Sequence, residues 1–126
     1  MAADDCRCPA IRVMMMPRDT NAHGTIFGGV LLSYIDQAGA VEARKATPHK
    51  FVTVAMNGVE FKKPVFVGDV LSFHTEVTRS GRTSVTIRVI VEAERFTNPA
   101  DIVVVTEATL VYVAVNDAGQ PIPLTQ

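Results

Sequence analysis

The sequence predicts a single α+β domain in which a curled antiparallel sheet of about five strands wraps one long central helix. Three observations predict this fold. Residues 28–46 carry helical apolar spacing over five turns, while everything from residue 51 onward alternates in β-like fashion between turn signals. The long strands offer more surface than one flat helix contact can cover, so we expect the sheet to curl. A chain of 126 residues fits one domain of this kind.

The first part of the chain predicts a tail, a short strand and a loop. Residues 1–9 read as a flexible tail, so the domain is expected over residues 10–126. Ile11–Met16 is a short apolar run that a proline ends, which predicts a strand. Pro17–Phe27 is rich in turn residues and predicts a loop.

The central helix is predicted over Gly28–Ala46. Pro48 marks its end, because the residue before a proline is disfavoured in the α region. Leucine, isoleucine, valine and alanine occupy so many of its positions that we expect burial on most of its faces.

Four long strands are predicted after the helix, and they cover Phe51–Phe61, Val70–Thr78, Thr83–Arg95 and Asp101–Val115. The pair Asn57-Gly58 predicts a bulge inside the first of them, and Ser80-Gly81-Arg82 predicts a hairpin turn. Apolar residues occur at both the odd and the even positions of these strands, so both faces of the sheet carry apolar side chains. This predicts a partner on the free face or edge of the sheet, and therefore at least a dimer.

Composition excludes several function classes. A net charge of −1 and a pI near 6.3 argue against a broad nucleic-acid footprint. The chain has no apolar run long enough to span a bilayer and its first residues lack a signal-peptide pattern, so a cytoplasmic location is expected. Cys6 and Cys8 stand too close for an easy mutual disulfide and read as reduced thiols. His23, His49 and His74 lack metal-ligand spacing, so no metal site is expected.

One carboxylate stands out within the predicted helix. Asp36 lies about two turns after Gly28 and Gly29, at roughly 3.6 residues per turn. A helix start offers unpaired N–H groups, and glycine lets a ligand approach them, so a general base and an oxyanion site can share this helix. The alternative is a solvated stripe, formed by Ser33, Asp36, Gln37, Ala40 and Arg44. No cation stands three or four residues after Asp36 to form a helix ion pair.

Five collinear motifs from residue 13 onward carry a resemblance to a known family. They are N-x-x-G-x-I-F-G-G from Asn21, Y-I-D-Q-A-G-A from Tyr34, V-E-F-x-x-P-V-x-V-G-D-V from Val59, S-G-R-T-S-V-T-I from Ser80, and T-E-A-T-L-V-Y-V-A-V-N-D-A-G-Q-P-I-P-L from Thr106. In these motifs the chain resembles the hotdog-fold acyl-CoA thioesterases, in particular the single-domain bacterial acyl-CoA hydrolases and their brain-type tandem-domain relatives.

The resemblance implies a hotdog fold and hydrolysis of acyl-CoA to free acid and coenzyme A, within fatty acid metabolism. It implies that Asp36 is catalytic, as general base or as nucleophile, and that Asn21 joins the same site from the other protomer. It further implies that the amides of Gly28 and Gly29 polarise the thioester carbonyl. No metal or organic cofactor is needed. The implied assembly is a homodimer with the site at its interface, and further a trimer of dimers, which is a hexamer.

Coenzyme A carries phosphates, so a basic patch is expected near the site, with Lys62, Lys63, Arg82 and Arg88 as candidates. The full set of expected substrate-binding residues is His23, Phe27, Lys62, Lys63, Arg82, Thr83 and Ser84. Each has a structural alternative, since the cations can be ordinary strand-end charges and His23 a polar loop residue. Asn21 can equally serve as a turn residue that bonds its own backbone, and the two glycines can serve close packing.

Two other functions remain open. One is a non-catalytic acyl-CoA-binding domain on the same fold, although such domains usually accompany a DNA-binding module for which this chain has no room. The other is a hotdog hydratase or dehydratase, which typically relies on a histidine with a carboxylate. No histidine stands on the predicted helix.

Overall fold

The computed structural model describes residues 8–125 and confirms one helix with five antiparallel strands. In chain order the elements are β1 (Ile11–Met14), a 3-10 turn (Pro17–Asp19), α1 (Gly28–Ala46), β2 (Lys50–Phe61), β3 (Val70–Ser80), β4 (Ser84–Glu94) and β5 (Ile102–Val115). The sheet order is β1-β3-β4-β5-β2. The helix contacts β2, β3, β4 and β5, as a curled sheet around a central helix requires. Cys6 and most of the predicted tail lie outside the described residues, and Cys8 is exposed.

Strict alternation on the sheet separates a core face from an outer face. On β4 the inward positions are fully buried, and they are Val85, Ile87, Val89, Val91 and Ala93. The outward positions include Arg88 and Glu92, which lie in ion pairs with neighbouring strands. This period of two lets one face hold the helix while the other meets solvent.

The helix buries one stripe, which consists of Leu31, Ile35, Ala38, Gly39 and Ala43. The prediction that most of its faces are buried is therefore wrong for the single chain. Val41 is 49% exposed, because the curled sheet covers one side of the helix and leaves the other open. In residues 8–125 no helix is long and apolar enough to cross a membrane.

Element boundaries follow the predictions to within one residue, with two exceptions. β3 continues to Ser80, two residues beyond the predicted end at Thr78, and the first strand is shorter than predicted. The first strand ends at Met14 and not at Met16, because the backbone of Met15 bonds instead to the Gly68-Asp69 turn. The predicted bulge at Asn57-Gly58 is confirmed by a register shift between β2 and β5 and by a φ of +59° at Gly58. The hairpin turn after Ser80 is confirmed by a hydrogen bond from the Gly81 amide to the Ser84 carbonyl.

Strand β2 forms one edge of the sheet and lies beside the helix. It has twelve residues and pairs only with β5 within the described chain, so its other edge is open. Val52 and Val54 on this strand are 40% and 55% exposed. A long open edge with exposed valines is a surface that natural proteins normally cover.

A buried carboxylate fixes the loop between β2 and β3. Asp69 is 1% exposed and accepts hydrogen bonds from the amides of Phe66 and Phe96 and from the Arg95 guanidinium. Arg95 also donates to the Pro64 carbonyl. These contacts hold the loop, here called the clamped loop (residues 62–69), against the end of the sheet where the helix begins.

Candidate active site

Asp36 is the one charged side chain of the helix held by contacts from two strands in the described structure. It is partly buried, and its Oδ1 accepts hydrogen bonds from Thr53 Oγ1 on β2 at 2.7 Å and from the Tyr112 hydroxyl on β5 at 3.2 Å. Within residues 8–125 no hydrogen bond to Oδ2 is described. One carboxylate oxygen is thus anchored while the other is free to act.

Sequence reasoning did not identify Thr53 or Tyr112 as site residues. Tyr112 is 1% exposed, and its hydroxyl also donates to the Asp36 backbone carbonyl at 2.8 Å. Burial, followed by the nearby Asp36 charge and the hydrogen bond to it, raises the pKa of Tyr112 well above its ordinary value. The phenol therefore remains a neutral donor at physiological pH.

The helix begins between two phenylalanine rings. The Phe61 ring lies against Gly28, where an added Cβ would be 3.4 Å from the ring, and the Phe27 ring lies against Gly29, where it would be 3.3 Å away. Both rings are more than half exposed. In the described chain no hydrogen bond uses the amide hydrogens of Gly28 or Gly29, as expected for the first residues of a helix. The predicted packing role of the glycines and their predicted oxyanion role are thus compatible.

An open cleft of about 300 Å³ lies at this helix start. Its walls come from the helix, the end of β2 and the clamped loop, and they include Gly28, Leu31, Phe61, Lys63 and Val65. An apolar wall beside free backbone amides can hold an acyl group with its carbonyl oxygen directed at the amides.

The carboxylate and the helix start are far apart within one chain. Asp36 follows Gly28 by eight residues, which at a rise of roughly 1.5 Å per residue separates them by about 12 Å along the axis. A single thioester carbonyl cannot reach both groups at hydrogen-bond distance. One chain therefore holds the two halves of the predicted chemistry in two different places.

Asn21 makes a local turn in the structure. Its Oδ1 accepts from the amides of His23 at 2.8 Å and Thr25 at 3.2 Å, and its Nδ2 donates to Thr25 Oγ1 at 2.9 Å. Gly24 completes the turn with a φ of +85°, which favours glycine. No contact between Asn21 and Asp36 of the same chain is described, and His23 is exposed. Within one chain, Asn21 thus bonds its own turn, which is the structural alternative predicted for it.

The basic candidates separate into two groups. Lys62 and Lys63 both line the cleft. Lys62 Nζ pairs with Glu107 at 3.2 Å and lies 3.8 Å from Glu60, whereas within residues 8–125 no ion pair is described for Lys63. Arg88 also pairs with Glu107, and these two cations hold the pKa of Glu107 below its usual range. Lys62 and Arg88 are thus partly neutralised by the protein itself.

The second group lies at the opposite end of the sheet. This group follows the hairpin turn and consists of Arg82, Thr83 and Ser84. Ser84 pairs with Val113 on β5, and the Arg82 carbonyl accepts a hydrogen bond from the Leu124 amide. Phe61, next to Lys62, pairs with Thr106. Seven residues of β5 separate the two ends, about 24 Å at roughly 3.4 Å per residue. One chain does not bring these residues to its own helix start.

Other potential ligand groups lie away from Asp36. His74 Nε2 lies 3.0 Å from Glu92 Oε1 on the outer face of the sheet, and His49 Nε2 lies 3.0 Å from the Leu124 carbonyl. Among residues 8–125 there is no cluster of three or more histidine, cysteine or acidic residues that could hold a metal ion.

Comparison with known proteins gives consistent matches over most of the chain. Residues 23–99 match the family model of the thioesterase superfamily. Over 113 residues the chain is 39% identical to the acyl-CoA thioester hydrolase YciA of Escherichia coli strain K12, covering 88% of this chain and 86% of that protein. A hexameric hotdog fold thioesterase of Campylobacter jejuni superimposes with a TM-score of 0.87 at 42% identity, covering 92% of this chain and 89% of that one. A hexameric thioesterase of Yersinia pestis also gives 0.87, at 40% identity, covering 92% and 93%.

Proposed function

The chain belongs to the thioesterase superfamily, and from this premise we propose that it hydrolyses acyl-CoA thioesters to a free acid and coenzyme A. The observation that carries the proposal is the Asp36 carboxylate, which two neutral hydroxyl groups anchor through one oxygen while the other stays free. A carboxylate in this state can accept a proton or attack a carbonyl carbon.

The reaction consumes one water and breaks the bond between the acyl carbon and sulfur. In one route Asp36 takes a proton from water, the resulting hydroxide adds to the thioester carbon, and the thiolate of coenzyme A leaves and is protonated. In the other route Asp36 itself attacks, forms a mixed anhydride as the thiolate leaves, and water then hydrolyses the anhydride. Both routes pass through a tetrahedral oxyanion that needs hydrogen-bond donors.

The donors in this proposal are the amides of Gly28 and Gly29. They stand at the positive end of the helix dipole and have no acceptor within the described chain. The exposed rings of Phe27 and Phe61 beside them offer apolar walls for the acyl chain.

The separation of about 12 Å between Gly28 and Asp36 supports a site shared by two chains. The open edge of β2, next to Thr53, offers the surface along which a second copy can pair. Antiparallel pairing there would lay the Asp36 of one protomer near the helix start and the Asn21 turn of the other. The names of the Campylobacter and Yersinia proteins describe hexamers, which supports a trimer of dimers here.

The phosphates of coenzyme A require cations at the mouth of such a shared site. Lys62 and Lys63 both line the cleft, and Lys63 is the better candidate for this role because Glu107 engages Lys62. Arg82, Thr83 and Ser84 would reach a neighbour's cleft only across a subunit boundary. We therefore assign them to phosphate or pantetheine contacts made in the assembly.

The first experiment is release of thiol from a panel of acyl-CoA substrates, run with wild type and with Asp36→Asn. Wild type is expected to release thiol, and Asp36→Asn is expected to lower kcat by about 10²-fold or more while folding normally, since a positioned base or nucleophile is lost. Asp101→Asn, which changes an exposed carboxylate after β4, is the matched control and should keep wild-type turnover.

Two outcomes would contradict the proposal. Absence of thiol release across the panel would favour an acyl-CoA-binding domain without catalysis. Full turnover in folded Asp36→Asn would remove this carboxylate from the mechanism. Circular dichroism and thermal melting of each variant establish that the fold is retained.

A further inference from the structure

Tyr112 holds Asp36 at two points. Its hydroxyl lies 2.8 Å from the Asp36 backbone oxygen and 3.2 Å from Oδ1 of the same residue, so its single hydrogen is shared between the main chain and the side chain. Tyr112 is 1% exposed and is the largest fully buried side chain of the described core. A rigid buried ring thus delivers a hydroxyl group to one residue of the helix.

Gly39 makes this approach possible. A Cβ at position 39 would stand 2.1 Å from the Tyr112 hydroxyl oxygen and under 3.0 Å from two atoms of its ring. Glycine is an unfavourable residue in the middle of a helix. The notch at Gly39 is therefore a seat for the tip of Tyr112, one turn beyond Asp36.

The anchoring is one-sided. Thr53 Oγ1 at 2.7 Å and the Tyr112 hydroxyl at 3.2 Å both donate to Oδ1 of Asp36. Two donors on one oxygen fix the torsion of the carboxylate, and they leave the lone pairs of Oδ2 available.

We propose that Tyr112, seated in the notch at Gly39, is a positioning residue that fixes Asp36 so that Oδ2 is the oxygen presented to water or to the thioester carbon. This inference rests on the proposed hydrolysis and assigns a role that sequence motifs alone do not. Tyr112 touches neither substrate nor water in this role and acts only through Asp36.

The chemistry of the donor supports the assignment. Its burial and its contact with Asp36 raise the pKa of the phenol, so it remains a protonated hydrogen-bond donor at physiological pH. A donated hydrogen bond favours the charged form of a carboxylate and restricts its orientation. Of the two tyrosines in the chain, the other, Tyr34, packs against Phe73 with ring centroids 5.7 Å apart.

The test compares Tyr112→Phe with wild type in thiol release across pH. The variant keeps the ring and removes only the hydroxyl. We expect kcat to fall about tenfold with KM changed less than about twofold, because an interaction with the base and not with the substrate is lost. The pH profile of kcat/KM is recorded alongside, as a second readout that a purely structural role of the hydroxyl would not move. Tyr34→Phe is the matched control and should leave both the rate and the pH profile unchanged.

Two further measurements keep the inference falsifiable. In an Asp36→Asn background, Tyr112→Phe should cause no additional loss, because the residue through which it acts is gone. Gly39→Ala displaces the Tyr112 hydroxyl from the helix side and should lower kcat in the same way in folded protein, with little change in KM. If Tyr112→Phe and Gly39→Ala fold and both keep the wild-type kcat and pH profile, the inference is wrong. A failure of the hydrolysis proposal would look different, since wild type itself would then be inactive or insensitive to Asp36→Asn.

Discussion

Asp36 carries its charge among neutral partners. In the described chain both of its side-chain hydrogen bonds come from hydroxyl groups, and no lysine, arginine or histidine lies in an ion pair with it. A nearby cation would favour the charged form strongly and would weaken the carboxylate as a base. Hydroxyl donors restrict its orientation at a smaller electrostatic cost. The carboxylate is thus oriented without an ion pair, which is what the role proposed for Asp36 requires.

The second anchor of Asp36 gives a separate prediction at this scale. Thr53→Val keeps the shape of the side chain and removes the donor that lies 2.7 Å from Oδ1. A hydrogen bond to a charged group contributes about 1.5–3 kcal/mol, so kcat is expected to fall by about tenfold or more. Thr53→Ser restores the hydroxyl and should recover most of the rate. Steady-state thiol release measures both, and equal rates for the valine and serine variants would contradict the role.

The clamped loop shows how one buried residue organises an element. Asp69 is 2% exposed at its side chain and pairs with Arg95, which also stacks over the Phe66 ring at 5.5 Å from its centroid. Val65 of this loop lies next to the start of the helix, where its carbonyl accepts a hydrogen bond from the Ile26 amide. The wall of the cleft and the start of the helix are thus held by one acidic group.

Removing that group is expected to destabilise the domain. Asp69→Ala leaves the Phe66 and Phe96 amides and the Arg95 guanidinium without their acceptor. Removing one partner of a buried ion pair lowers the free energy of unfolding by about 3 kcal/mol. The urea concentration at the unfolding midpoint should fall by this energy divided by the m-value. The exposed Asp101→Ala should change stability by less than about 0.5 kcal/mol. Equal midpoints for the two variants would show that the clamp does not contribute to stability.

Local sequence signals, such as glycine, proline and the pattern of apolar residues, predict the positions of the helix and most of the strands. The helix was predicted over the residues that form it, because Gly28-Gly29 and Pro48 mark its ends chemically. The first strand was predicted two residues too long, because Met15 and Met16 are apolar for different reasons. Met15 is fully buried against the Gly68-Asp69 turn, whereas Met16 is 38% exposed. Hydropathy alone does not distinguish these two environments.

The site was less predictable than the fold. The helical position of Asp36 and the free amides at Gly28 and Gly29 follow from local spacing. The partners of Asp36 stand 17 and 76 residues away in sequence, and they meet only after the sheet has curled. The isolated glycine at position 39 was the available signal, since glycine within a helix often marks a close approach. It does not reveal which side chain approaches.

At the scale of the whole molecule, the proposed site needs groups that one chain holds in separate places. The carboxylate and the helix start lie about 12 Å apart, and the open edge of β2 lies beside the carboxylate. Exposed Phe27 and Phe61 at the helix start also indicate a surface that a partner or substrate covers. If the proposed shared site is correct, this chain must associate in order to catalyse.

Complementation between two inactive variants tests the shared site. Asn21→Asp keeps the oxygen that accepts from the His23 and Thr25 amides and removes the amide hydrogens. If Asn21 and Asp36 serve one site from different protomers, co-refolding this variant with Asp36→Asn creates mixed dimers with one intact site each. Random pairing predicts recovery of about a quarter of the wild-type sites. Native mass spectrometry establishes the mixed species, and their inactivity would place both residues in the same chain's site.

The seat of Tyr112 at Gly39 also constrains the order in which this lineage can change. A side chain at position 39 collides with the phenol, so an alanine there displaces the Tyr112 hydroxyl and is disfavoured while tyrosine stands at 112. The reverse order is open, because a smaller residue at 112 leaves glycine acceptable. Among relatives of this chain, alanine at position 39 should therefore be found mostly together with a smaller residue at 112, whereas glycine at 39 should occur with either. The close contact at Gly39 therefore couples substitutions at two positions that lie 73 residues apart in the chain.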